Sequence, residues 1–307
     1  MGTTENVAPD RKVLTATPIR TTRPTRLRPG FLAVLWANKK SRAGMLLLGL
    51  FILTAFIGPW IAPYSPYATN FAIMQTPTLH HWLGTTQNGQ DVLSELIYGT
   101  RLSLEVTFVA GFGATAISIV MAFAAGYLGR WLDDILSFIT NVFLVIPGLP
   151  LMVVLAAYSP VRGIIVIMAV LTVTGWAWGA RVLRSQVLAL RNRDYVIAAR
   201  FAGESPFRIM FREILPNMLS LVGANFLGAS LAALLGAASL EFLGFGDPTA
   251  LSWGSMLYWA QNSGALLQGQ WAWIFAPGVC IALLGMSLIL LNFGLDEISN
   301  PRLRGES

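Results

Sequence analysis

The residues suited by type to chemistry are two adjacent histidines, one cysteine and a glycine-rich stretch. Their spacing supports none of the usual sites. His80 and His81 are the chain's two histidines, and no Cys or carboxylate stands at metal-ligand spacing from them. They read as a solvated loop pair. With both in one loop, no Ser or Cys nucleophile with a base and an orienting acid can be assembled. Gly84 to Asp91 (GTTQNGQD) imitates the phosphate-binding pattern GxxxxGK[ST], yet Gln90 and Asp91 occupy the places of the Lys and the Ser/Thr. A better reading is a glycine-rich turn followed by a short helix. Asp91 would cap it, Val92, Leu93, Leu96 and Ile97 would pack its inner face, and Gly99 would end it. Cys280 lies alone in an apolar run and can make no internal disulfide. Catalytic, cofactor-binding and metal-ligating residues are therefore expected nowhere in this chain.

The elements that must position any functional residue are long apolar runs. The chain is 55% hydrophobic and only 12% charged, with a mean hydropathy of +0.62. Soluble domains carry about 25% charged residues, and a charge in hydrocarbon costs about 3 kcal/mol even on insertion scales. A spanning helix needs roughly 20 mostly apolar residues. Such runs occur at about 44–62, 104–126, 135–158, 161–180, 218–240 and 271–292. None shows the short alternating pattern of a barrel strand. The fold class is thus all-α integral membrane, with six transmembrane helices.

Basic residues set the orientation. Placing the N-terminus inside puts nineteen Lys/Arg on the cytoplasmic side and two outside, so both termini are expected in the cytoplasm. This distribution explains the net charge of +6 without nucleic acid as a partner. The N-terminus has neither the early apolar stretch of a signal peptide nor a myristoylation site, since Asn6 stands where Ser or Thr is needed. The expected organisation is a disordered basic cytoplasmic tail (1–30), an interfacial helix (31–43), a first transmembrane helix with its external loop (44–103), a core with five transmembrane helices (104–292) and a cytoplasmic tail (293–307). Phe31, Val34 and Leu35, followed by Lys39, Lys40 and Arg42, suit a helix lying among lipid headgroups.

Within the runs a few positions stand out. Pro147-Gly148-Leu149-Pro150 breaks the third run, and proline removes an N–H from the helix ladder. Broken helices are tolerated in lipid only against protein or a wet cavity. Pro147 and Pro150 therefore mark the border of a path through the membrane, or a packed kink. Asn225, inside the fifth run, is either interhelical glue or path lining. Ser230 and Ser239 are weaker positions of the same kind. Gly223, Gly228, Ala232 and Gly236 suggest a face for close helix packing. Glu241 and Asp247 read as solvated.

The long inward loop, 181–217, contains DYVIAARFAGESPFRIMFREILPN. Tyr195, Ala198, Ala199 and Ala202 share one helical face. Gly203 suits a helix C-cap, and Ser205-Pro206 suits a restart with Ser as N-cap and Pro at the first helical position. Phe207, Met210, Phe211 and Ile214 form a second apolar stripe. The segment should fold as helix, tight turn, helix. It is either an exposed knob that docks on a cytosolic partner or an amphipathic hairpin on the membrane.

This stretch resembles the EAA motif of bacterial ABC importer permeases: EAA, three residues, Gly, nine residues, Ile, one residue, Leu-Pro. Ala198, Ala199, Gly203, Leu215 and Pro216 fall on the pattern, while Ile197 replaces the Glu and Glu213 stands where Ile is usual. His81-Trp82-Leu83-Gly84-Thr85 through Gly99, Phe242 to Gly246, Ser252 to Leu257 and the closing Asn300-Pro301-Arg302-Leu303-Arg304 extend the likeness to the C-type subunit of the dipeptide/oligopeptide/nickel permeases. The resemblance covers about residues 40–304.

The resemblance implies the type I ABC importer permease fold in a bacterial plasma membrane. It implies an ATPase-docking loop at Ala198, Ala199, Gly203, Glu204, Ser205, Pro206, Phe207 and Arg208. It also implies partners: a homologous sister permease, two cytosolic ATPase subunits or domains that bind ATP and Mg, and an extracytoplasmic solute-binding protein. This chain would be non-catalytic. Peptides are the first expected solute, oligosaccharides the second, and nickel belongs to the same family. A secondary transporter or channel would need ionisable mid-membrane residues or inverted repeats, and an embedded enzyme would need clustered Asp, Glu, His or Lys within the runs. The sequence offers neither clearly.

Overall fold

The computed structural model describes Gly2, Trp36 and residues 38–299, the last four by backbone alone. Apart from Gly2 and Trp36, the expected tail (1–30), the first part of the expected interfacial helix (31–43) and the end of the expected C-terminal tail (from 300) lie outside the described residues. Among the described residues every regular element is helical, with long irregular loops at 62–91 and 243–252 and one isolated bridge between Thr85 and Asp91.

The helices are α1 (Lys39–Ile61), α2 (Val92–Phe123), α3 (Trp131–Val145), α4 (Gly148–Ala157), α5 (Ile164–Gly175), α6 (Ala177–Leu190), α7 (Asp194–Phe201), α8 (Pro206–Arg208), α9 (Leu219–Phe242), α10 (Trp253–Asn262) and α11 (Trp271–Ser299). A π-helical turn, Ala124–Leu128, prolongs α2. A π-helical segment (Ile209–Ile214) and a 3₁₀ turn (Leu215–Met218) join α8 to α9. Pro216 lacks the N–H an α-helix would use, which accounts for the tightened turn at that point.

The bundle is built around α2, which packs most extensively on α9 and also on α6, α5 and α1. The buried side of α2 is largely small: Gly99, Ser103, Ala110, Gly111, Ala114, Ser118 and Ala122. Small side chains let helix backbones approach closely, which is how helices gain packing energy where lipid tails remove the hydrophobic incentive. At Gly111 an added Cβ would stand 2.8 Å from the Ser230 Cα of α9. At Gly44 of α1 it would stand 2.8 Å from the Ser287 carbonyl of α11. Of the glycines expected to form a packing face on α9, Gly223 approaches Leu295 and Gly236 approaches Leu171 and Met152, while Gly228 faces open space. They do not form one seam; the tightest glycine contacts to α9 come from Gly111 of α2, Gly179 of α6 and Gly254 of α10.

The outside of the bundle is apolar. Leu46, Leu50, Leu53, Phe56 and Trp60 are exposed along α1, and Phe112, Val120, Phe275, Val279 and Met286 are exposed on α2 and α11. Contiguous apolar surface on this scale is untenable in water and matches a hydrocarbon solvent. Four continuous helical stretches are long and apolar enough to cross a membrane: Lys39–Ile61, Val92–Leu128, Pro206–Phe242 and Trp271–Leu295. Two further pairs, α3 with α4 and α5 with α6, bring the number to six if each bent pair is one crossing; the bends are 92° and 41°.

Several expected boundaries shift. The second run starts at Val92, not 104, because Asp91 caps one continuous helix: its carboxylate accepts from the Ser94 amide at 2.9 Å. Gly99 does not end a short helix but lies buried inside α2. The fourth run continues as α6 to Leu190, so the loop expected at 181–217 begins near 191. Arginines on α6 and at the start of the loop are engaged. Arg184 donates to both Asp133 carboxylate oxygens at 2.6 and 2.7 Å, and Arg191 donates to the Gly126 carbonyl at 2.8 Å.

Candidate functional site

The segment 194–218 forms a protruding helical hairpin at one end of the bundle. Helix α7 ends where the Ala202 amide donates to the Ala198 carbonyl at 2.9 Å and the Glu204 amide to the Ala199 carbonyl at 3.2 Å. Gly203 sits at φ +79° with open space where a side chain would be, the left-handed geometry that favours glycine at a helix C-terminus. The chain restarts at once. The Ser205 hydroxyl accepts from the Arg208 amide, and Pro206 takes the first helical position, where an N–H would go unused. Glu204 and Arg208 pair across the turn at 3.0 Å.

The tip is exposed and the base is buried. Ala198, Phe201, Ala202, Gly203, Ser205, Pro206, Phe207 and Arg208 are exposed; Ala199 and Glu204 are half-buried. Val196, Ile209, Met210, Ile214 and Met218 bury their side chains against Ala122 and Phe123 of α2 and Leu183 and Val187 of α6. Phe211 meets Phe123 at 5.7 Å and Phe207 at 4.4 Å, both with tilted rings, and the Arg200 guanidinium lies over the Tyr127 ring. The knob is therefore bolted to two core helices. From Pro206 onward it runs into α9 as one helical stretch, through the π-helical segment and the 3₁₀ turn.

The other expected positions lie apart from the knob. Helix α3 closes with the Ile146 amide on Val142, and α4 opens with the Leu151 amide on the Pro147 carbonyl at 3.2 Å. Pro147 is the N-cap of α4 and Pro150 its third residue, so neither removes an N–H that the helix would use. The sequence suggests a kink with a lost hydrogen bond, but the structure has two helices meeting at 92°. Both prolines are exposed, while Met152 and Ala156 beyond them pack on α5 and α9. Asn225 is buried, 6% exposed. Its amide donates to the Thr115 hydroxyl of α2 at 3.4 Å and fills the space beside Gly179 of α6. It ties three helices together.

The opposite end of the bundle corrects two readings of charge. His81 is not solvated: it is buried between Tyr64 and Phe71, with Nδ1 2.9 Å from the Asp91 carboxylate. Ten residues separate the two, and only the loop fold joins them. Glu241 is likewise buried and accepts from the Ser252 hydroxyl at 2.6 Å. Asp247 is partly exposed, and the hydroxyl and amide of Thr249 hold its carboxyl below the usual range. The Ser252 partner belongs to a capping box with Ser255 that starts α10, an element missing from the sequence reading. The S-x-x-S spacing was its only local signal. Among the described residues no cluster of His, Cys, Asp or Glu suits a metal ion.

Known proteins resemble this arrangement along most of its length. Residues 114–305 match the family described as "Binding-protein-dependent transport system inner membrane component", and residues 31–78 match the "N-terminal TM domain of oligopeptide transport permease C". The chain is 34% identical over 271 residues to the dipeptide transport system permease protein DppC of Bacillus subtilis (strain 168), covering 87% of this chain and 83% of that protein. It is 30% identical over 271 residues to the oligopeptide transport system permease protein OppC of the same organism, covering 87% of each. Among solved structures, a chain of the MetNI methionine ABC transporter in an inward-facing conformation aligns with a TM-score of 0.52 and 21% identity, covering 67% of this chain and 95% of that one. That likeness supports the type I ABC importer permease fold.

Proposed function

The chain belongs to the binding-protein-dependent transport system inner membrane component family, and from that premise we propose that it is the permease subunit of an ATP-driven importer of peptides. The observation that carries the reading is the knob: an exposed turn at Gly203, with Phe207 presented beside it, on a rod continuous with α9. An anchored, exposed apolar tip suits a groove on a separate protein. The buried base supports docking over a hairpin merely lying on lipid, because Val196, Ile209 and Ile214 are spent on the bundle.

In this mechanism two cytosolic ATPase subunits bind ATP and Mg and grip the knob at Ala198, Ala199 and Gly203 to Arg208. A sister permease supplies the other wall of the path, and an external solute-binding protein delivers the cargo. Closure of the ATPases displaces the knob, and α9 carries the displacement to α4 and α5, which pack on it around Ala156, Leu171 and Ala237. The exposed break at Pro147 and Pro150 then borders the path or its gate, while Asn225 serves as the joint that keeps α2, α6 and α9 in register. The relatives named for dipeptides and oligopeptides favour peptides over oligosaccharides or nickel. Both termini and the knob lie in the cytoplasm of a bacterial cell.

The test uses Cys280→Ser with a single new cysteine at Ala202→Cys or at Asn88→Cys, both exposed positions. A membrane-impermeant maleimide should label Ala202→Cys only from the cytoplasmic side and Asn88→Cys only from outside. The reverse pattern removes the basis for docking on a cytosolic motor.

A further inference from the structure

At the end of the bundle remote from the knob, a cleft of about 260 Å³ lies between the loop that precedes α2 and the segment 248–259 that leads into α10. A single water occupies about 30 Å³, so the cleft admits a group the size of a side chain. Glu95, in the first turn of α2, lines it. Only 6% of Glu95 is exposed, and among the described residues its carboxylate has no hydrogen-bond or ion-pair partner. Its charged neighbour is Asp91, a second carboxylate, which is already occupied by His81 and Ser94.

Two neighbouring polar groups of the wall are engaged. Gln90 donates its amide to the Pro66 carbonyl at 2.8 Å, and the Thr86 hydroxyl accepts from the Gln90 backbone amide at 3.2 Å. Among the described residues no Lys or Arg lines the cleft. Tyr67 and Trp259 place aromatic rings in its wall, which favours a cation over an anion. The indole N–H of Trp273, also in the lining, has no partner among the described residues. A buried unpaired carboxylate costs several kcal/mol unless a cation or donor meets it. One carboxylate is too few for a divalent metal, whose ligands are several oxygens.

We propose that this cleft is a subsite for a primary ammonium group of a peptide, with Glu95 as its counter-ion. It rests on the permease reading, which places this end of α2 outside the cell, where cargo arrives. The ammonium can be a peptide's free amino terminus or a lysine side chain; both present the same N–H donors to the carboxylate. A protonated amine entering a site walled by Tyr67 and Trp259 pairs with Glu95 in partial shelter from water, where charge-assisted hydrogen bonds are stronger than in bulk solvent.

The experiment measures saturation-transfer NMR on the purified full chain in nanodiscs with three probes: trialanine, N-acetyl-trialanine and Nα-acetyl-lysine methylamide. At least one ammonium probe should bind with an affinity tenfold or more above that of N-acetyl-trialanine, and which one does so identifies the source. Glu95→Gln should erase the difference while leaving the melting temperature equal to or above that of the parent, because no internal partner is lost. Equal binding of the acetylated probe, a preference that survives Glu95→Gln, no binding of either ammonium probe, or a lowered melting temperature overturns the subsite. ATP-driven peptide uptake by the assembled transporter separates the two claims. Intact uptake without an ammonium preference defeats the subsite alone, whereas no uptake with every partner present defeats the permease reading itself.

Discussion

Phe207→Ala tests the knob most directly. Phe207 is 68% exposed at the tip, and a phenylalanine side chain offers roughly 200 Å². About 140 Å² is therefore available to a partner, worth at most about 3.5 kcal/mol at 25 cal/mol per Å². A groove that covers half to most of it retains about 1.5–3 kcal/mol, a ten- to hundredfold change in affinity. The cost to the fold is smaller: the ring contact with Phe211 at 4.4 Å contributes about 1 kcal/mol, and Phe207 is not part of the buried cluster at the knob's base. Phe211→Ala is the control, since Phe211 also packs on Phe123 of the core helix and its loss should lower the melting temperature more. The assay is the affinity of the solubilised chain for the proposed ATPase partner by interferometry, with peptide-stimulated ATP hydrolysis alongside. A Phe207→Ala protein that is monodisperse, binds the ATPase with parental affinity and hydrolyses normally would refute the reasoning.

Three further outcomes follow from the geometry. Gly203→Ala meets no steric obstacle but forces an L-residue to φ +79°, costing about 1–2 kcal/mol; thermal unfolding should shift down by a few degrees, and coupled uptake should fall. Gly111→Ala places a methyl 2.8 Å from the Ser230 Cα, and overpacking of this kind costs about 1–3 kcal/mol; Gly111→Leu should yield no monodisperse protein on size exclusion. A double-mutant cycle on Asp133→Asn and Arg184→Gln, paired at 2.6 Å and partly exposed, should give a coupling of about 1 kcal/mol that shrinks with added salt.

The knob was almost wholly legible in the sequence, because every signal in it is local. A left-handed turn calls for Gly203, a helix start calls for Ser205 and Pro206, and the apolar stripe at Met210 and Ile214 reports a face that must be covered. What the stripe covers was not legible: Ala122, Phe123, Leu183 and Val187 come from helices far away in the chain. The break at Pro147 was visible, but its 92° turn was not, since proline signals an interruption without choosing the direction that α4's packing on α5 and α9 decides.

The sequence by itself determined the solvent of this protein, its long apolar runs and the hairpin at Gly203. Composition, helix-length hydropathy and cap chemistry depend on a residue and its few neighbours along the chain. Only the tertiary structure decided the fate of the polar groups. His81 and Glu241 looked solvated and are buried. Asn225 became a joint among three helices, and Glu95 was left facing a cleft without a partner among the described residues. A polar side chain's state depends on which distant backbone approaches it, and glycines such as Gly111 and Gly179 permit those approaches without announcing their partners in the local pattern.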